Sequence, residues 1–253
     1  MPFSKIFALV ILLSSLALSN PGLASVCGDQ PIFQQEYKVK GTAKDGNGEM
    51  LYYEVLEFKT SETGGDLVVD YFSPDNQVLA TKKVEFNCRP TAPDFELVDM
   101  TTNEVEGVKV ESEQITSYQG KQSSVLSIPE SQLVIDAGFD NAVKMNWDEL
   151  MAGKKIPFNY LFARDNKFFK LRLEKVDGSK VEFPQSEEDV AIFKIDANNL
   201  IFRLFSSPLF LGYTTDSKSL KYYSGPSNLP MMRDQKSVLI TYTPFTNSGS
   251  DGS

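Results

Sequence analysis

The stretch Lys167-Phe-Phe-Lys-Leu-Arg-Leu-Glu-Lys-Val176 (KFFKLRLEKV) decides the fold. Phe169, Leu171 and Leu173 fall on one side of an extended chain, and Lys170, Arg172 and Glu174 fall on the other. A period of two with one charged side is the pattern of a strand whose sheet is wet on one face only. Ala191, Phe193 and Ile195 repeat it, as do Val238, Ile240 and Tyr242. Charges on the outward side argue against a lipid-embedded barrel, whose outer band must be apolar.

Working outward, the same kind of segment recurs between turn residues. Strands are expected over Glu49 to Lys59, Asp66 to Ser73, Gln77 to Phe86, Phe95 to Asp99, Val105 to Glu111, Gln114 to Tyr118, Ser124 to Ile128 and Leu133 to Asp136. Further strands are expected over Pro157 to Arg164, Lys167 to Val176, Val190 to Asp196, Leu209 to Tyr213, Leu220 to Tyr223 and Ser237 to Tyr242. Ser73-Pro74-Asp75-Asn76, Asp165-Asn166 and Asp177-Gly178 read as tight turns between them.

One segment has helical period. Phe139, Val143, Trp147, Leu150 and Met151 form a single stripe between Gly138 and Ala152, with Asp136 or Asp140 as amino-terminal cap and Gly153 as the stop. Asn198 to Phe205 is a weaker helical segment. The expected fold is therefore mainly β: a curved antiparallel sheet, half-barrel or barrel, with one amphipathic helix packed against it.

The start of the chain reads as a leader. Lys5 precedes the apolar run Ile6 to Leu13, extended less purely to Leu18, and Gly22-Leu23-Ala24 supplies small residues at the cleavage point. That is the pattern of a secretory signal peptide cut after Ala24, since the run is short of the ~20 residues of a bilayer-spanning helix. The organisation is then residues 1–24 as signal, 25–246 as one β-rich domain and 247–253 as a disordered tail. The destination is the periplasm, with secretion as the alternative. Cys27 and Cys88 are the only cysteines, and an oxidising compartment lets them pair. Such a bridge spans 61 positions and stabilises by roughly 4 kcal/mol in the chain-entropy view.

Composition removes several chemistries. The 253 residues contain no His, which excludes Ser-His-Asp and Cys-His nucleophile systems and His-ligated metals. Neither a cofactor nor a metal site is read from the sequence. Cutting after Ala24 removes Lys5 and no acid, so the net charge moves from −9 to −10 and disfavours nucleic acid as a partner.

Two groups of residues remain as candidates. The first is Asp136, Asp140 and Asn141 with Glu149, which could serve a carboxylate-based glycan enzyme. Capping and the helix dipole account for the same spacing with no catalysis, and that reading is the stronger. The second is aromatic. Tyr53, Tyr71, Trp147, Phe158, Tyr160, Phe162 and Phe169, with Tyr52 and Phe58 beside them, either line an apolar cavity or fill a dry core. The function expected is an exported, non-enzymatic protein that binds a lipid or other apolar small molecule in a β cavity. An envelope scaffold acting on another envelope protein is the alternative.

Three stretches carry a resemblance. They are Leu67 to Gly107 (with DYFSPDNQVLATKKVEF and PDFELVDMTTNEVEG), Asp136 to Phe162 (DAGFDNAVKMNWDELMAGKKIPFNYLF) and Leu220 to Tyr242 (with LKYYSGPSNL and VLITY). In these the chain resembles a family of uncharacterised secreted proteobacterial proteins, which implies export and no defined activity. The expected architecture is also distantly similar to the half-barrel carriers that move lipoproteins across the periplasm.

Overall fold

The two edges of the sheet are neighbours in sequence, and that fixes its shape. A computed structural model describes residues 35–181, 183–197, 208–227, 229–232 and 237–245, and in it fifteen strands form one sheet. The first eight are β1 (Tyr37–Lys44), β2 (Met50–Lys59), β3 (Asp66–Phe72), β4 (Val78–Glu85), β5 (Asp94–Asp99), β6 (Val105–Val110), β7 (Gln114–Gln119) and β8 (Gln122–Ser127). After β9 (Leu133–Val134) come the helices α1 (Gly138–Met145) and α2 (Trp147–Met151). The chain closes with β10 (Lys155–Phe162), β11 (Lys167–Val176), β12 (Val190–Ala197), β13 (Leu209–Thr214), β14 (Leu220–Gly225) and β15 (Val238–Pro244).

Across the sheet the order runs from β8 down to β1, then from β15 down to β9. Every neighbouring pair is antiparallel except β9 with β10. Laid flat, fifteen strands at ~4.8 Å spacing would be about 67 Å wide. The edge strands β8 and β9 are joined only by residues 128–132, which reach at most about 22 Å. The sheet must curl until its edges meet.

Side-chain parity shows that the edges overlap. Phe158 of β10 shares its face with Leu173 of β11 and Phe193 of β12, and these pack around the helices. Leu161, on the opposite face of β10, joins a second apolar cluster with Tyr71, Val84, Leu97, Val108 and Ile115 from β3 to β7. Strand β9 divides in the same way, Val134 facing the helices and Leu133 the second cluster. The β9–β10 edge is thus tucked beneath the concave face of the other edge. Ser117 Oγ of β7 ties the two by donating to the Ala163 carbonyl at 2.7 Å.

The helix stripe is buried as its period requires, with two differences. Val143, Trp147 and Leu150 are enclosed, and the Trp147 ring lies 5.3 Å from that of Phe193 and 6.2 Å from that of Tyr213. The expected single helix breaks at Asn146, whose side-chain amide donates to the Ala142 carbonyl at 2.8 Å and competes with the backbone. Met151, expected in the stripe, is 37% exposed because α2 ends there.

The turns follow their sequences in two cases of three. Asn76 and Asn166 adopt positive φ, at 63° and 51°. Asp177, by contrast, caps a short 3-10 turn over Gly178–Lys180 by accepting from the Ser179 amide, and the β11–β12 connection is long. The expected tight hairpin there is corrected. The leader at 1–24, Cys27, the weaker helix at 198–205 and the tail at 247–253 lie outside the described residues.

Candidate functional site

The concave face carries a polar cluster inside an otherwise apolar wall. Register places Tyr242, Gly41, Glu54 and Tyr71 in one row across β15, β1, β2 and β3. Gly41 is required at its place, because a Cβ there would lie 2.8 Å from the Tyr242 ring and 2.9 Å from Glu54 Cγ. Over that gap the Tyr242 hydroxyl donates to Glu54 Oε1 at 2.7 Å. An aromatic folded over a cross-strand glycine is a recognised device of sheets.

Lys82 of β4 enters the same face and is 4% exposed. Its ammonium bonds Asp136 Oδ1 at 2.8 Å and stands 6.0 Å from the centre of the Tyr71 ring. Burial works against the Lys82 charge, but the Asp136 carboxylate, with Glu54 beyond it, more than reverses this and holds its pKa above the ordinary value. Burial raises the Glu54 carboxyl, and the Tyr242 hydrogen bond and Lys82 offset only part of that rise. The Tyr71 and Tyr242 phenols are also pushed well up, by burial first and by the Glu54 charge second.

An aromatic ladder leads from the helices to the rim. Phe139 of α1 meets Phe158 edge-on at 5.9 Å and stacks on Tyr160 at 4.7 Å. Tyr160 then meets Phe162 at 5.2 Å, and Phe162 meets Phe169 at 5.3 Å. Alternation explains the line: Phe158, Tyr160 and Phe162 share one face of β10, and Phe169 lies directly opposite Tyr160 in β11. Phe158 is buried, whereas Phe162 and Phe169 are 45% and 39% exposed.

Four of the seven aromatics singled out from sequence, Phe158, Tyr160, Phe162 and Phe169, are therefore brought together. Trp147 lies deeper, among the helix contacts, and Tyr71 belongs to the polar cluster. Tyr53 stands apart on the convex face, stacked on Phe72 at 4.9 Å beneath the Lys40 ammonium.

The acidic motif does not converge. The capping expectation for Asp136 and Asp140 is corrected: Ala137 occupies the α1 cap position, and no side chain caps it. Asp136 has φ 41° and turns back to Lys82 and the Ala137 amide instead. Asp140 pairs with Lys144 at 2.7 Å and accepts from the Tyr213 hydroxyl at 3.1 Å. The Asn141 amide donates to the Pro90 carbonyl, and Glu149 is exposed beside Lys154. Among the described residues no group of three or more His, Cys, Asp or Glu is placed to hold a metal.

Sequence reading missed Glu54, Lys82, Gly41 and Tyr242. A Glu in the inward register of β2, flanked by Tyr52 and Phe58 at even spacing, was the available signal. A separate hollow of about 220 Å³ lies on the convex face, where Phe183 stacks on Tyr222 at 5.0 Å.

No family model and no curated protein matches the chain. Among solved structures it is similar to the β-barrel-like protein of a domain of unknown function, DUF1849, from Brucella abortus. Identity is 9% and the TM-score 0.50, over 83% of this chain and 95% of that one. The chain thus shares its mainly β, barrel-like fold with that protein.

Proposed function

We propose that this is an exported, non-enzymatic protein that takes an apolar or lipid-like molecule at the aromatic mouth of its rolled sheet. The observation that carries the reading is the ladder: two large rings, Phe162 and Phe169, stand exposed at the end of a continuous apolar path into the roll. Contiguous exposed aromatics on a concave wall are the usual lining of a small-molecule site. The signal-like start and an expected Cys27–Cys88 bridge support an oxidising, extracytoplasmic setting. The separate ion pairs of Asp136, Asp140 and Glu149 support a role without catalysis.

The test is extraction of the protein purified from its native host, followed by mass spectrometry of the organic phase. Acyl lipid should accompany the wild-type protein in a fixed ratio and fall at least about tenfold in Phe162→Glu/Phe169→Glu, with an unchanged unfolding midpoint. Recovery of no lipid from the wild-type protein removes the reading.

A further inference from the structure

The roll covers one edge of its sheet and leaves the other bare. Strand β9, two residues long, lies tucked with β10 beneath the opposite border. Strand β8 stands last in the sheet, paired among the described residues with β7 alone.

The hairpin that makes β8 sets the phase of its backbone. The turn is two residues, Gly120 and Lys121, with Gly120 at φ 55°, so Gln119 and Gln122 form a hydrogen-bonded pair. The Gly120 amide donates to the Val105 carbonyl of β6 at 2.7 Å, which gives the same phase from the other side of β7. Gln122, Ser124 and Leu126 therefore turn their amides and carbonyls to β7, and Ser123, Val125 and Ser127 turn theirs outward. All three outward residues are exposed, Val125 by 62%.

Natural sheets blunt such a border with a charge, a proline, a bulge or a cover. Strand β8 (QSSVLS) has no charged residue and no proline, and its register with β7 runs without a shift from Gln122 to Ser127. The border is regular, neutral and apolar at its centre.

Two features select the occupant. A bare edge is matched by another extended strand, whose amides and carbonyls fall at the same spacing. The outward positions also read alike in both directions, Ser123 and Ser127 flanking Val125. A second copy arriving antiparallel about a two-fold axis at Val125 sets Val125 against its own counterpart and Ser123 against Ser127, with up to about six backbone bonds. The net charge of −9 makes two copies repel elsewhere, yet no charge lies along this line.

We infer that β8 pairs with β8 of a second copy, joining two rolls into one continuous sheet. The contact is narrow, so the dimer is reversible and forms at high local concentration.

Sedimentation and amide exchange test this together on the purified protein between about 10 µM and about 1 mM, the range in which small interfaces associate. The mass should climb towards twice that of the chain. The Ser123, Val125 and Ser127 amides should gain at least about fivefold protection as it does, while Gln122, Ser124 and Leu126 are protected throughout. Val125→Pro removes only an outward amide, so it should keep the unfolding midpoint and weaken the dimer at least about tenfold. Val125→Lys keeps the amide, sets like charges across the axis and should weaken the dimer as well. A monomer over the whole range overturns the pairing. So does a dimer indifferent to both substitutions, which puts the contact elsewhere, and so does protection of the three amides in the monomer, which puts a segment of the same chain on the edge. Bismaleimide trapping of Val125→Cys in the native host should return a homodimer; adducts with another protein alone overturn the inference.

Discussion

Tyr242 and Glu54 sit two strands apart, yet the phenol donates to the carboxylate at 2.7 Å across the bare backbone of Gly41. The convex face repeats the device: Tyr118, Gly107 and Glu96 lie in one row, and the Tyr118 hydroxyl meets Glu96 at 3.1 Å. Burial, with the Glu96 charge behind it, pushes the Tyr118 phenol up to about 12. The same three residue types thus occur once inside and once outside, a built-in comparison of buried and exposed versions.

Tyr242→Phe should destabilise the protein by about 1–3 kcal/mol, because it strips the donor from a buried carboxyl oxygen. Tyr118→Phe should stay within about 0.5 kcal/mol, since water replaces the lost partner. Gly41→Ala adds a methyl between the buried Glu54 and the half-buried Tyr242 ring and should cost about 1–3 kcal/mol. Urea unfolding of the three variants checks the order; equal losses for the two tyrosines would contradict it.

Lys82→Met leaves the half-buried Asp136 carboxylate beside the helix start with no counter-charge, and should cost about 3–5 kcal/mol. Lys82→Met/Asp136→Asn, which removes the charge but keeps a residue that tolerates the positive φ and accepts from the Ala137 amide, should recover most of that loss. A double-mutant cycle in denaturant reads the coupling, and additive losses would show that the pair is not coupled.

The raised Glu54 carboxyl sets a pH dependence with a definite sign. Its folded-state pKa lies above the ordinary 4.5, so the native state keeps its proton longer than the unfolded chain. The stabilisation is complete below 4.5 and is lost as pH rises through the folded value. Lys82, raised above 10.5, contributes below that value and loses its share only in stronger alkali. Urea midpoints between about pH 4 and pH 8 should therefore fall for wild type relative to Glu54→Gln. Parallel profiles for the two proteins would refute this.

Tyr213 holds α1 to β13 through Asp140, a hydrogen bond to a carboxylate already paired with Lys144. Tyr213→Phe should cost about 1.5–3 kcal/mol and shift Trp147 emission, because the rings lie 6.2 Å apart. An unchanged spectrum with unchanged stability would show that the helix is fixed by apolar packing alone.

Period-two alternation made most of the sheet legible, and Lys167–Val176 was bounded to the residue. Strand β1 escaped because its inward positions include Gly41 and Ala43, which are too small to register as an apolar face. The break at Asn146 escaped because the apolar stripe continues through it. The Lys82–Asp136 pair joins positions 54 apart, and no local pattern announces a contact made by rolling one edge under another. The ladder was half legible: alternation put Phe158, Tyr160 and Phe162 on one face, but the depth of each depends on where the helix stops covering them.

The meeting of β1 with β15 has a consequence for how this molecule is made. Six register pairs, Val39 with Pro244 through Lys44 with Leu239, stitch two serpentine halves whose other antiparallel contacts are local. During synthesis the last of the described strands to emerge is the one that belongs in the middle. Until it arrives there are two separate fans, each with a naked border. Losing β15 would not trim this protein at a margin; it would unzip it down the spine.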